Sequence, residues 1–335
     1  MPLYAATYLQ HPHQEGRKMI LSSGSHTSRP FVRGTFRDLP SKPSVPHPYF
    51  TAKHQKVSVD SKPFGRIGIH VATYGSPENP PILLVHGLMT TGYSFRYVLD
   101  GLRRSHYVVV PDLPGCGRSE HAPDRVHSVA ALSEFIGEFQ RDFGIIGCTA
   151  VGNSLGGYLC LYRHFTTPGA FEKLVALHPP VDPMWRLFVL YVAIRLPGAY
   201  RALRSFIQRN PLRWAHSQVH YYNEGLKSLE EAHEYGDPLS NTSGVSSFFR
   251  YLTDAMNPFP MRTFVRRLSR GPSEGFGDRL LIVYSDRDPV VPASMGPKVH
   301  SLIPDADYVQ ISHSSHFPHV DRPRRLVALI EEFLQ

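Results

Sequence analysis

Cys148-Thr149-Ala150-Val151-Gly152-Asn153-Ser154-Leu155-Gly156-Gly157-Tyr158 is the stretch on which the reading of this chain turns. The apolar β-type run Cys148 to Val151 leads straight into an apolar helix-type run, Tyr158 to Phe165, so Ser154 falls on a strand-to-helix corner. A corner that tight forces the serine into a strained backbone conformation. Side chains two residues to either side would collide, which is the steric reason for glycine at 152 and 156. The Ser154 hydroxyl is thereby lifted clear of the sheet, and the N–H of Leu155 at the helix start points at the same space, where it can hold an oxyanion. With 26 glycines in 335 residues, Gly-x-Ser-x-Gly alone carries little weight. The flanking strand and helix, and partners elsewhere in a fixed order, carry more.

Outward from this corner, short apolar runs alternate with amphipathic ones. Val57 to Val59 and Arg66 to Tyr74 read as an opening antiparallel hairpin. Pro81 to Val85 is wholly apolar, as expected of a strand covered on both faces, and ends in the glycine-bearing loop His86-Gly87-Leu88-Met89. Tyr93 to Leu102 reads as a helix and Tyr107 to Val110 as the next buried strand, followed by the turn-rich Pro111 to Ser119. Ser128 to Phe143, with Val129, Leu132, Ile136 and Phe139 on one face, reads as an amphipathic helix. Leu174 to Leu177, Arg279 to Ser285 and Tyr308 to Ile311 read as further strands, and Pro323 to Leu334 as a closing helix. This alternation predicts an α/β fold with a mostly parallel, doubly wound sheet.

The alternation stops twice. Residues 1–55, rich in Pro, His and basic residues, read as an N-terminal arm, extended or partly disordered; its five histidines (His11, His13, His26, His47, His54) lack metal-ligand spacing. Residues 181–270 read as a helical cap inserted between sheet strands, leaving 56–180 and 271–335 as the core. Residues 1–66 carry ten Lys/Arg against three acids, 181–270 twelve against seven, and the remainder fourteen against eighteen, so the net charge of +8 sits on the arm and the insertion. Met184 to Arg195 is apolar on nearly all sides and is followed by Arg201, Arg204, Arg209 and Arg213. It reads either as a helix buried between cap and core, or as a lipophilic pocket wall or membrane-facing helix.

Three cysteines, Cys116, Cys148 and Cys160, are too few for a disulfide framework and read as reduced, buried thiols. Met1 to Gln10 lacks the basic start and apolar core of a secretory signal, and no run approaches a bilayer span. The expectation is a soluble, cytoplasmic protein.

Five motifs in order resemble the α/β-hydrolase family in its cap-bearing branch: His86-Gly87; Asp112-Leu113-Pro114-Gly115-x-Gly117-x-Ser119; Gly152 to Gly157; Asp286-Arg287-Asp288-Pro289-Val290-Val291-Pro292; and His313-Ser314-Ser315-His316-Phe317-Pro318. The resemblance covers about residues 56–180 and 271–335. Independently of the family, a serine hydroxyl needs a neutral imidazole to take its proton, and that imidazole needs a carboxylate to fix its tautomer. The resemblance implies the order Ser154, Asp288, His316, with Leu88 and Leu155 N–H groups as oxyanion donors. Asp286 and Asp182 compete with Asp288 for the acid role, as His313 and His319 compete with His316. His86 reads as a structural ring that holds its loop, and Asp112 to Ser119 as a scaffold loop.

Relatives that open epoxides or displace halide use a carboxylate at the elbow, so Ser154 points to acyl transfer to water. The leading expectation is a serine hydrolase of the carboxylesterase or lipase kind, acting through an acyl-enzyme on a small, lipophilic or anionic acyl substrate. Asn153 also resembles the elbow of hydrolases that cleave carbon–carbon bonds in ring-fission products, whose anionic substrates the cap arginines would suit. Other expectations are a non-enzymatic ligand sensor on the same scaffold, and weak membrane-surface contact through the cap. No nucleic-acid module is evident, and the chemistry calls for no cofactor and no metal.

Overall fold

Each short apolar run becomes a strand because β-branched and aliphatic side chains on both faces need helices above and below to cover them. The computed structural model, which describes residues 31–32, 34–271 and 276–335, has eight strands in the order β1-β2-β4-β3-β5-β6-β7-β8. These are β1 (Lys53–Ser61), β2 (Gly65–Tyr74), β3 (Pro81–Val85), β4 (Tyr107–Pro111), β5 (Thr149–Asn153), β6 (Leu174–Leu177), β7 (Leu280–Ser285) and β8 (Asp307–Ile311). The β1–β2 hairpin is antiparallel and β2 pairs β4 antiparallel; every other pairing is parallel. The mostly parallel α/β sheet expected from the pattern is present.

Tyr93 to Leu102 is not the single helix that its spacing suggested. It breaks into a 3-10 turn, Gly92–Phe95, and a short α1, Leu99–Leu102. The whole Gly92–Arg96 segment is buried, so its conformation answers to neighbours on all sides and not to one apolar face. The helix α2 (Val129–Phe143) starts at Ser128, whose side chain accepts from the Ala131 N–H, and stops at Gly144 in the left-handed conformation, φ 76°; both ends are the usual caps. Next come α3 (Leu155–Thr166), then, among the described residues between β6 and β7, six α-helices: α4 (Trp185–Ala193), α5 (Ala199–Arg209), α6 (Pro211–Gln218), α7 (Leu229–Gly236), α8 (Thr242–Arg250) and α9 (Pro258–Leu268). The helix α10 (Met295–Leu302), not anticipated from the sequence, crosses from β7 to β8, and α11 (Pro318–Asp321) and α12 (Pro323–Leu334) close the chain.

The expectation of a buried α4 fails. Only Leu187 is buried in that helix, while Trp185, Val189 and Val192 stand 77%, 55% and 60% exposed. A run of apolar residues cannot by itself say which neighbour covers it, and here no described residue covers this face.

The described part of the arm is hydrogen-bonded to the insertion, and strand β1 starts at Lys53, four residues before the expected Val57. The carbonyls of Pro40 and Ser41 accept from the Leu229 and Glu230 N–H groups at the first turn of α7, donors that no helical carbonyl can reach. His47 lies 2.8 Å from Glu230, which also accepts from Tyr93 Oη at 2.7 Å. The segment thus straps α7 onto the sheet side of the molecule. His11, His13 and His26 lie outside the described residues.

His127 joins the hairpin to the insertion, its ring packed against Phe64 and Tyr251 at 5.1 and 4.9 Å. Burial pushes its pKa down to about 4. A histidine depressed below its unfolded value of about 6.5 contributes stability that is complete above pH 6.5 and is lost as pH falls towards 4. His127→Phe should therefore remove roughly 2–3 kcal/mol of the stability lost between pH 7 and 4.5. Urea unfolding at the two pH values checks this; an unchanged loss would count against it.

Candidate active site

The turn at residues 152–157 has the strained shape that its glycines suggested. Ser154 sits at φ 54°, ψ −119°, a region that costs a non-glycine residue free energy and persists only where the surroundings impose it. A Cβ built on Gly152 would lie 2.5 Å from the Gly156 carbonyl oxygen, and one on Gly156 would strike the Val85 carbonyl. Both positions therefore exclude side chains. Ser154 is part exposed between buried neighbours, and its N–H donates to the Leu177 carbonyl at 2.7 Å.

The loop after β3 closes over this corner. A Cβ on Gly87 would come within 3.1 Å of Ser154 Cβ, so the loop backbone lies against the serine. His86 fixes the loop: the Leu113 N–H donates to its Nε2 at 2.9 Å, which leaves Nδ1 as the protonated nitrogen, donating to the Gly87 carbonyl at 2.8 Å. Burial pushes this imidazole below its ordinary pKa, keeping that tautomer neutral. Leu155 opens α3, so its N–H is one of those that no helical carbonyl accepts.

Parallel register carries the other candidates to the same sheet edge. Asn153 stands opposite Leu177 and Leu177 opposite Val283, while Ser285 stands opposite Ile311; the loops after β7 and β8 leave from there. Asp288 and His316 meet, with His316 Nδ1 2.6 Å from Asp288 Oδ2. The other carboxylate oxygen accepts from the Val290 and Val291 N–H groups at 2.6 and 2.9 Å, which fixes the plane of the acid. Burial alone would raise the Asp288 pKa, but His316 and His178 outweigh it and hold the carboxyl well below the usual range. Among the described residues no hydrogen bond joins the Ser154 hydroxyl to His316.

The competitors are engaged elsewhere. Asp182 pairs with Lys298, and Asp286 accepts from the Ser314 N–H at 3.3 Å. The His313 ring lies against Tyr222, and His319 is buried against Phe95. Asp112 accepts from His70 Nδ1 and from the Gly92 and Arg118 N–H groups, so it ties strand ends and loops together. Cys148 and Cys160 are buried as expected, whereas Cys116 is only part-buried; its surroundings still raise the Cys116 thiol to about 12, and burial raises Cys148 to about 11 and Cys160 further.

One member of the site escaped the sequence. His178, just past β6, places Nδ1 2.7 Å from the same Asp288 Oδ2, although that nitrogen is not aligned for a hydrogen bond. Its Nε2 meets Ser285 Oγ at 3.1 Å. At these separations the two imidazoles touch the carboxylate directly. Burial pushes His178 below its ordinary pKa, so it stands as a neutral ring wedged beside the acid, with φ +49°. The available signal was His178-Pro179-Pro180 following the strand adjacent to that of the serine.

Residues 80–323 match the description "alpha/beta hydrolase fold", which spans well over half of the chain. The chain belongs to the alpha/beta hydrolase fold family. This family member is 21% identical over 283 residues to an uncharacterized hydrolase, YugF, of Bacillus subtilis, covering 80% of this chain and 95% of that protein. It is 25% identical over 287 residues to epoxide hydrolase 3 of Xenopus tropicalis, covering 80% and 75%. Among solved structures, a thermophilic esterase from Thermogutta terrifontis superposes with TM-score 0.65 at 18% identity, covering 84% of this chain and 98% of that one. At that identity the likeness is one of fold. Among the described residues of this hydrolase-family chain, no helix is long and apolar enough to cross a membrane.

Proposed function

We propose that this protein is a serine hydrolase that cleaves a carboxylic ester through an acyl-enzyme, with Ser154 as nucleophile, His316 as general base and Asp288 as its orienting acid. The observation that carries the reading is the Asp288–His316 contact at the sheet edge where the strained elbow presents Ser154. Asp288 holds the Nδ1–H of His316, leaving Nε2 to take the serine proton as Oγ attacks the acyl carbon. The oxyanion that forms is met by the Leu88 and Leu155 N–H groups. His316 then returns its proton to the departing alkoxide, and water, deprotonated by the same ring, releases the acid. A serine at the elbow supports this over epoxide opening, which needs a carboxylate there.

The substrate reading rests on the surroundings of the Leu88 loop. A small cavity of about 30 Å³ between the Leu88 loop and the insertion is bounded by Leu88, Met89, Leu239, Phe248 and Tyr251 together with the uncharged polar Thr90, Thr91 and Tyr235; no charged side chain lines it, and it reaches the proposed site only through the Leu88 loop. Arg186, Arg195, Arg201, Arg209 and Arg213 are instead exposed. That favours a neutral, apolar acyl group over an anionic ring-fission product. A screen of p-nitrophenyl esters of rising acyl length, run beside a ring-fission dienoate, tests this: ester turnover without dienoate turnover is expected, and the reverse overturns the reading.

His178 acts on the acid and not on substrate. His178→Ala is expected to lower kcat on the order of 10- to 100-fold, with KM unchanged, because a carboxylate released from one neighbour no longer holds the general base in line. His178→Gln, which keeps a polar group near Ser285, should recover part of that loss. A change confined to KM would refute the positioning role.

A further inference from the structure

The helix α4 turns apolar side chains outward. Trp185, Val189 and Val192 recur at spacings of four and three residues, which at about 100° per residue places them within about 60° of one another on the helix surface. They stand 77%, 55% and 60% exposed, and Leu196, in the turn beyond, is 57% exposed. The helix α9 extends the ridge. Its Phe259, 53% exposed, packs edge-on against Phe188 and Tyr191 at 5.8 and 5.3 Å. The result is one continuous apolar strip across two helices, and isolated surface hydrophobes do not account for such a strip.

The border of the strip is cationic. Arg186 follows Trp185 on the helix flank; the Arg195 guanidinium lies 3.4 Å over the Tyr191 ring, and that of Arg262 4.4 Å over Phe188. All three arginines are exposed. No Asp or Glu occurs from Pro183 to Asn223 or from Ala255 to Gly271, so the two helices and the chain around them present positive charge without internal neutralisation. An apolar strip rimmed by long basic side chains, whose stems lie along rings while their heads remain in water, matches the boundary between acyl chains and anionic headgroups. A protein partner with a neutral apolar groove would leave the arginines unmatched, and a second copy would bring like charges together.

We infer that the α4–α9 ridge docks this protein on anionic lipid surfaces, with Trp185, Val189, Val192 and Phe259 entering the headgroup–acyl boundary while Arg186, Arg195 and Arg262 meet lipid phosphates. Docking of this kind lays the ridge on the bilayer and inserts no spanning segment. It does not rest on the hydrolase reading, since Ser154→Ala retains every residue of the ridge.

Co-sedimentation with phosphatidylcholine vesicles, with and without phosphatidylglycerol, tests the inference on the full chain and on Ser154→Ala alike. Both proteins should bind the anionic vesicles, weakly or not at all the neutral ones, and less as salt is raised. Val189→Glu with Val192→Glu should weaken binding at least tenfold. Arg186→Gln with Arg262→Gln should weaken it about 25-fold, from roughly fivefold per basic group near an anionic surface, and so bring it towards the binding to neutral vesicles. Because the chain has two tryptophans, Trp214→Phe leaves Trp185 as the sole indole, and its emission should shift to the blue on anionic vesicles. Unchanged thermal midpoints show that the variants fold. Equal binding to neutral and anionic vesicles, no binding to either, or a dimer in gel filtration that Val189→Glu with Val192→Glu dissociates would each overturn the inference; the last would assign the ridge to a second copy.

Discussion

Ser154→Ala is expected to lower kcat for ester hydrolysis by roughly 10⁴- to 10⁶-fold while leaving the fold intact. Removal of the nucleophile in a serine–histidine–acid site abolishes the covalent route, and what remains comes from binding and the oxyanion donors alone. The effect is larger than the loss of any hydrogen bond because, in the proposed mechanism, the hydroxyl supplies the atom that bonds to the acyl carbon. Alanine at this position also tolerates the elbow no worse than serine does, since both carry a Cβ at φ 54°. The same variant should lose labelling by a fluorophosphonate probe, which phosphonylates an activated serine hydroxyl. Asp288→Asn should keep residual labelling at a much reduced rate, as the imidazole loses its fixed tautomer but the serine remains. Equal labelling of wild type and Ser154→Ala would refute the assignment of the nucleophile.

The second large effect is on stability. Arg96 is fully buried, with Nη2 2.7 Å from Glu231 Oε2 and its guanidinium 4.5 Å from the Tyr93 and Tyr97 ring centres. Burial works against the charge of Arg96, but Tyr221 and Glu231 outweigh it and the group stays protonated. Burial pushes the Glu231 carboxyl up against the pull of that same arginine, and Tyr221 donates to it at 2.5 Å. Glu231→Ala leaves the arginine without its counter-charge, a change expected to cost about 3–5 kcal/mol. The double substitution Arg96→Met, Glu231→Leu should recover most of that, because it removes both desolvated charges. Glu231 lies on α7 and Arg96 beside the buried 3-10 turn. The single variant should therefore also loosen the insertion, seen as faster proteolytic cleavage within residues 185–268. Urea unfolding measures the first effect; a loss below about 1 kcal/mol would show that the pair is replaceable.

Much of the scaffold was legible because it depends on local sterics and period. The apolar runs gave the strands, the spacing of Val129, Leu132, Ile136 and Phe139 gave α2, and the glycines at 152 and 156 gave the elbow. Contacts that depend on distant chain were not legible. Nothing local in Gly92–Phe95 says that it will be buried on all sides, and nothing in His47 says that it will reach Glu230. The α4 run illustrates the limit most clearly: its apolar character was plain, yet whether a neighbour covers it is a property of the assembled molecule.

What the sequence determined by itself was therefore the order of elements and the strained corner at Ser154, since steric exclusion and hydrophobic period act over a few residues; the candidate carboxylate and imidazole on later loops came from the family resemblance, with competitors beside each. Only the tertiary structure decided that His178 shares Asp288 with His316, that Asp182 pairs with Lys298, and that Arg186, Arg195, Arg201, Arg209 and Arg213 face outward. Those outcomes depend on which strand ends lie side by side and on which helix covers which face. Both are settled by packing between segments more than a hundred residues apart in the chain.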